Sequence, residues 1–170
     1  MLGCYISAVA ATLILAELIY LAINRVEAIA SQVSIYILWI LLALAIGAYI
    51  AYAESGIERA WLIKYPVPPG LAIVFTGLIL LSLGDFRGAW LLLLGYLVEP
   101  IAGVAVMLRA TRISRLWGLS IYIGSIVYLA GLPLYLYSQP AIAMLGDIVK
   151  LAGFIGIILG NTVGTRQSKI

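Results

Sequence analysis

Residues 140–164 read PAIAMLGDIVKLAGFIGIILGNTVG, and this stretch decides the predicted fold. It is longer than the roughly 20 apolar residues that a helix needs to cross a bilayer. It carries three glycines spaced four residues apart, Gly156, Gly160 and Gly164. This spacing lets another helix approach closely inside a membrane. The stretch also contains Asp147 and Lys150, and ionisable side chains at that depth face protein or water rather than lipid. We therefore expect a transmembrane helix with protein on two sides.

The composition of the chain is typical of an integral membrane protein. Hydrophobic residues make up 65% of its 170 residues and charged residues only 10%, whereas soluble domains carry about 25% charged residues. The chain has no histidine and a single cysteine, Cys4, which argues against histidine-ligated metals and haem, an internal disulfide and histidine-assisted catalysis. We expect no metal and no cofactor. The low content of Asn, Gln and Cys is also typical of thermophilic proteins.

Six apolar segments predict an all-α bundle of six transmembrane helices in one domain, residues 1–170. The predicted spans are residues 3–23, 33–53, 70–83, 89–108, 116–137 and 141–163. The third is short because Pro66, Pro68 and Pro69 disfavour a regular helix directly before it. In the fourth, Pro100 follows Glu99 and is expected to kink the helix.

Basic residues are distributed unevenly between the two sides of this bundle. Six spans place both termini on one side with the second and fourth loops, which carry two and three Lys or Arg residues, and the tail adds two more. The other side has Arg25 and Arg87. Because Lys and Arg mark the cytoplasmic side, we predict a multi-pass protein of the plasma membrane with both termini in the cytoplasm. This topology accounts for the net charge of +3, so we expect membrane lipid and no nucleic acid as a partner.

The two halves of the chain share a weak similarity. Residues 77–88 align without gaps with residues 153–164, with glycines at three common positions, and Glu17 of the first span corresponds to Glu99 of the fourth. Three spans per half would make the two halves inverted repeats, an arrangement found in many transporters. The shared glycine-rich composition of such helices is the alternative explanation.

Four ionisable residues from three predicted spans are expected to lie in one slab of the membrane: Glu17, Glu99, Asp147 and Lys150. Asp147 and Lys150 are three residues apart on one helix and can pair. That leaves Glu17 and Glu99 with no basic partner in the membrane, so we expect protonation, a bound cation or a water-filled cavity there. The cluster predicts a site for protons, cations or a small substrate. The alternative is a polar clamp between helices or a contact with a partner subunit.

Two Leu-Gly-Asp segments bear on an enzymatic function. Leu83-Gly84-Asp85 and Leu145-Gly146-Asp147 resemble part of the Gly-x-Gly-Asp signature of intramembrane aspartyl proteases, which would imply two aspartates that activate water. The sequence departs from the signature, because Ser82 and Met144 stand where the first glycine belongs and Asp85 falls in a turn. We therefore expect no enzyme.

These observations predict a small transport or channel protein, or the membrane-embedded substrate-binding component of a larger transporter. Its six spans at 18.3 kDa are similar in format to the substrate-binding components of energy-coupling uptake systems. The alternative is a non-catalytic assembly subunit of a membrane complex. In that case the glycines of the last span would pack against a second copy of the chain or against other membrane subunits.

Overall fold

The computed structural model describes residues 1–135 and 139–167, with side chains up to residue 161, and this part of the chain is helical without any strand. Its elements are α1 (Leu2–Asn24), a 3₁₀ turn (Val26–Ala30), α2 (Gln32–Ala53), α3 (Trp61–Lys64), α4 (Val67–Ser82), α5 (Arg87–Tyr96), α6 (Val98–Ala110), α7 (Arg115–Tyr135) and α8 (Ala141–Gln167). Within the described residues, six helical stretches are long and apolar enough to cross a bilayer, with α3–α4 and α5–α6 each counting as one. The all-helical prediction with six spans is confirmed, and the helices fit a multi-pass membrane protein.

The third span is longer than the sequence predicted. α4 begins at Val67, and Pro68 and Pro69 occupy its first turn. The first N–H groups of a helix have no partner within it, so proline is tolerated there. The short helix α3 directly precedes it, which gives a helical stretch over Trp61–Ser82. The prolines therefore start the regular helix ahead of Gly70 instead of preventing it.

The fourth span is interrupted at Leu97, between α5 and α6. Pro100 has no N–H to donate to the carbonyl group of Tyr96, and its ring crowds that carbonyl. The N–H of Leu97 instead donates to the Leu94 carbonyl at 3.2 Å, which tightens the turn. The helix is therefore interrupted near Pro100, two residues before Glu99, as the loss of a hydrogen bond at proline predicts.

A tight turn joins α4 to α5. The N–H groups of Gly84 and Asp85 donate to the carbonyls of Leu81 and Leu80, each at 2.9 Å, and Gly84 has a φ of 84°. This is a Schellman ending, which favours glycine. The turn lies inside residues 77–88, whereas residues 153–164 lie within the single helix α8. The two aligned segments therefore differ in structure, and their alignment does not support an inverted repeat.

The spans form a ring in chain order. Each span packs against the next one, and α8 packs against α1 to close the ring. The most extensive contact is between α7 and α8, followed by that between α4 and α5. Many large apolar side chains are exposed along the outside, as expected for helices surrounded by lipid. Two cavities lie inside the ring.

The α4–α5 hairpin is held together by glycines spaced seven residues apart. Gly70 and Gly77 on α4 face Gly95 and Gly88 on α5. A Cβ atom at Gly88 would lie 2.3 Å from the carbonyl oxygen of Gly77, and one at Gly95 would lie 2.9 Å from that of Gly70. No side chain fits at these distances, so the two backbones touch.

The α7–α8 hairpin uses the same spacing. A Cβ atom at Gly124 would lie 2.4 Å from the backbone nitrogen of Lys150, and one at Gly146 would lie 2.1 Å from that of Tyr128. Gly131 and Gly153, seven residues further along each helix, are similarly close to the opposite backbone. This backbone contact fixes the register of α8 against α7.

The glycines predicted as a packing ridge lie outside this contact or at its end. Gly156 faces the Trp117 ring, where a Cβ atom would lie 2.2 Å from Cδ2. A Cβ atom at Gly160 would meet no described atom within 4 Å. Gly164 lies in α8, but its surroundings fall outside the described residues. Within the chain, α8 therefore packs against α7 through Gly146, Gly153 and Gly156, and a role for Gly160 in packing between chains stays a prediction.

Candidate functional site

Lys150 connects two carboxylates in the interior of the bundle. Its Nζ lies 3.0 Å from Oδ1 of Asp147 on the same helix and 3.2 Å from Oε1 of Glu99 on α6. The pairing of Asp147 with Lys150 agrees with their spacing. The expectation that Glu99 has no basic partner is wrong, because α6 starts just before Glu99 and brings it to the level of Lys150. We call Glu99, Asp147 and Lys150 the lysine cluster.

The three members of the lysine cluster differ in their burial. Asp147 is fully buried and the Lys150 side chain is 5% exposed, whereas that of Glu99 is 27% exposed. Within the described residues, Oδ2 of Asp147 has no hydrogen-bond partner. Asp147 and Lys150 therefore form the buried part of the cluster, and Glu99 is the carboxylate that a ligand can reach.

One tyrosine contacts the lysine, and a second tyrosine contacts the first. The Nζ of Lys150 lies 4.2 Å from the centre of the Tyr128 ring, a cation–π contact. The Tyr128 ring in turn meets the Tyr96 ring edge to face, with 6.1 Å between the ring centres. Because Tyr128 sits directly opposite Gly146, the close α7–α8 contact places this ring beside the lysine. The position of the ammonium group thus follows from the glycines of the hairpin.

A central cavity of about 220 Å³ adjoins the cluster. All six spans contribute to its lining, which is mostly apolar. Among the lining residues that the structure describes, Glu99 and Lys150 are the charged ones. The polar lining residues are Ser7, Tyr49, Tyr52, Tyr96 and Ser125. The six spans therefore line a partly open, apolar space, with Glu99 and Lys150 as its charged residues.

Glu17 does not belong to the lysine cluster. It is 5% exposed, and its Oε1 accepts a hydrogen bond of 2.5 Å from the Ser34 hydroxyl on α2. Its Oε2 is buried and has no hydrogen-bond partner in the described part of the chain. Glu17 lines a second cavity of about 70 Å³. The four residues predicted as one cluster therefore form a group of three and a separate carboxyl group.

One layer of side chains separates the two cavities. Five residues line both of them, and we call these the dividing layer: Ile14, Leu38, Leu41, Leu92 and Tyr96. The central cavity extends from this layer towards Ser7 and Tyr52, near the end of the bundle that carries the N-terminus. The second cavity extends towards Val26 and Tyr135 at the opposite end. The two carboxyl sites thus lie on opposite sides of an apolar layer with one tyrosine.

Two residues of the site are not identified from the sequence. Tyr96 is part of the dividing layer, and Ser34 donates to Glu17. A signal for Tyr96 is its position four residues before Pro100, where proline breaks the helix. Ser34 is a polar residue near the start of an otherwise apolar helix, but the sequence does not show that it faces Glu17.

Within residues 1–135 and 139–161, no group of three or more Cys, Asp or Glu side chains is placed to hold a metal ion. No protein-family model, curated protein or solved structure matches the chain.

Proposed function

We propose that this protein is a small membrane transport protein, or the membrane-embedded substrate-binding component of a larger transporter, and that it binds a small organic cation in the central cavity. The observation that carries the proposal is a cavity of about 220 Å³ lined by all six spans, with a partly exposed Glu99 in its wall. Pockets for drug-sized ligands usually measure about 300–1,000 Å³. The cavity volume therefore favours a ligand smaller than a typical drug molecule.

The charges of the lysine cluster favour a cation over an anion. Lys150 already contacts two carboxylates, so the ionised cluster carries one excess negative charge. An anion entering the cavity would meet Glu99 before any unpaired positive charge. A cation can pair with Glu99, and its apolar part can pack against the apolar lining.

The cluster also offers a way to admit a cation without leaving a buried charge unpaired. A cationic ligand competes with Lys150 for Glu99. When it displaces Lys150, the ammonium group still has Asp147 at 3.0 Å and the Tyr128 ring beside it. Breaking a buried ion pair outright costs about 3–5 kcal/mol, and this second carboxylate avoids much of that cost.

The proposed orientation of the protein in the membrane rests on the loops that carry most of the Lys and Arg residues. The proposed membrane is the plasma membrane. Both termini lie in the cytoplasm, because Lys and Arg are concentrated on the side of the termini. The central cavity then lies in the cytoplasmic half of the bundle, and the Glu17 cavity lies in the outer half.

Uptake into proteoliposomes tests the proposal. Tetramethylammonium is a suitable probe, because it is small, keeps its charge at every pH and crosses lipid slowly. Replacing Glu99 with Gln keeps the shape but removes the charge, and we expect the initial uptake rate to fall about tenfold or more, as for the loss of one charged contact. Glu54→Gln, an exposed acid at the end of α2, is the matched control. Equal uptake rates for the folded Glu99→Gln variant and the wild type would contradict the proposal.

One observation favours the alternative, an assembly subunit. The face of α8 at Gly160 has no described neighbour within 4 Å, which would allow a second chain to approach closely. In that case Gly160→Leu would break up the complex, as measured by size-exclusion chromatography in mild detergent, and Glu99→Gln would leave the complex intact.

A further inference from the structure

Glu17 is a buried carboxyl group, and one of its two oxygens has no hydrogen-bond partner in the described part of the chain. Oε1 accepts from Ser34, whereas Oε2 has no described partner. An ionised carboxylate in an apolar interior is costly unless a cation or several donors face it. One added proton removes that charge and turns the group into a donor.

The groups around Glu17 include no cation in the described part of the chain. The ionisable residues that line its cavity are Glu17 itself, Tyr96 on α5, and Tyr128 and Tyr135 on α7. The Tyr135 hydroxyl donates to the Leu18 carbonyl at 2.6 Å. On α8, which also packs against α1, Asp147 and Lys150 pair with each other, and Lys150 also contacts Glu99.

A metal ion fits this cavity poorly. Ca²⁺ and Mg²⁺ need about six or more oxygen ligands, and a monovalent ion also needs a ring of oxygens to replace its water. The lining of the second cavity is mostly leucine, isoleucine, valine and alanine, with three tyrosines. The hydroxyl that is hydrogen-bonded to Glu17, that of Ser34, would add a single oxygen ligand. A proton needs only the free oxygen Oε2.

We propose that Glu17 is a proton-binding site, separate from the lysine cluster, and that its protonation and release couple a proton gradient to the transport cycle. Binding adds one H⁺ to Oε2 and forms a neutral carboxylic acid. Release breaks the same O–H bond and returns the proton to water. The coupling rests on the proposed transport function, whereas the proton site itself does not.

Tyr128 provides the physical link between the two sites. Its ring contacts the Lys150 ammonium group and also lines the cavity of Glu17. Its neighbour Tyr96 belongs to the dividing layer. A cation that displaces Lys150 from Glu99 changes the contact of the ammonium group with the Tyr128 ring. The same ring forms part of the wall around Glu17, so occupancy of the central cavity changes the environment of Glu17.

Infrared spectroscopy of the whole protein in lipid tests the proton site without any substrate. We expect the wild type to show the C=O stretching band of a protonated carboxylic acid at neutral pH, and this band to diminish as the pH is raised. Glu17→Gln should lack that component. Glu27→Gln, an exposed acid in the neighbouring 3₁₀ turn, should keep it. Identical carboxyl bands in the wild type and Glu17→Gln across the titration would overturn the proton site.

Two transport modes of tetramethylammonium test the coupling. In proteoliposomes, Glu17→Gln should lose accumulation driven by a pH gradient while exchange of labelled for unlabelled tetramethylammonium stays within about twofold of the wild type. Unchanged gradient-driven accumulation overturns the coupling, and so does equal loss of both modes. If neither wild type nor variant transports the probe but the Glu17 band is present, the proposed function fails and the proton site stands.

Discussion

At the scale of single residues, Lys150 is the cation that pairs with the two carboxylates of the lysine cluster. It neutralises Asp147, which is fully buried, and it contacts Glu99 across the α6–α8 gap. The sequence indicates the first contact, since residues three apart share a helix face. It does not indicate the second, because periodicity within one helix does not reveal which helix lies beside it.

Lys150→Met is therefore expected to destabilise the protein. It removes the cation that contacts both carboxylates, and loss of one partner of a buried ion pair costs about 3–5 kcal/mol. Reversible unfolding in mixed micelles measures the change in free energy. The double variant Asp147→Asn/Lys150→Met should recover part of the loss, because it also removes the stranded charge. If Lys150→Met is as stable as the wild type, the lysine does not neutralise these carboxylates.

At the scale of helices, glycines spaced seven residues apart build the hairpins. The signal was present in the sequence as the pairs Gly70 and Gly77, Gly88 and Gly95, Gly124 and Gly131, and Gly146 and Gly153. The spacing of four in Gly156, Gly160 and Gly164 is more familiar from membrane helices. In this chain the neighbouring helix contacts α8 nearer to its start. A glycine pattern thus predicts that a helix packs closely, but the register comes from the partner helix.

Gly146→Ala tests this packing. The new methyl carbon would lie 2.1 Å from the Tyr128 backbone nitrogen, so α7 and α8 must move apart. We expect a loss of about 2 kcal/mol or more, in the range of overpacked interiors. Gly160→Ala is the matched control on the same helix, because its methyl group meets no described atom within 4 Å. It should be neutral or slightly stabilising, since alanine favours helix over glycine. Equal unfolding free energies for the two variants would contradict the observed register.

The positions of the helices and of their breaks are largely predictable from the local sequence. The break before Glu99 follows directly from Pro100, and the apolar runs locate all six spans. The start of α4 was misplaced because proline has two roles. It disrupts the interior of a helix but is tolerated in the first turn, where Pro68 and Pro69 lie.

At the scale of the whole molecule, the ring of six spans explains why one predicted cluster became two sites. Glu17 and Glu99 belong to spans on different parts of the ring, and the dividing layer lies between their cavities. Residue number gives an expectation for the depth of each residue along its helix. The direction in which each side chain points into the ring was not predictable, because it depends on the packing of helices that are distant in sequence.

The orientation of the ring can be tested by cysteine labelling. In a Cys4→Ala background, Glu27→Cys places a thiol in the 3₁₀ turn and Glu54→Cys places one at the end of α2. With both termini in the cytoplasm, a membrane-impermeant maleimide should label the first in intact cells and the second only after permeabilisation. The reverse pattern would invert the topology and place the central cavity in the outer half of the membrane.

The central claim is that a small organic cation binds beside Glu99 in the central cavity. Native mass spectrometry of gently extracted wild type and Glu99→Gln tests it most directly. We predict that the wild type is a monomer or homo-oligomer that carries a small cationic ligand, and that the folded variant lacks this ligand. Equal ligand occupancy in both proteins would contradict the account. Other polypeptides bound at fixed stoichiometry, with no small ligand, would contradict it as well and favour the assembly subunit.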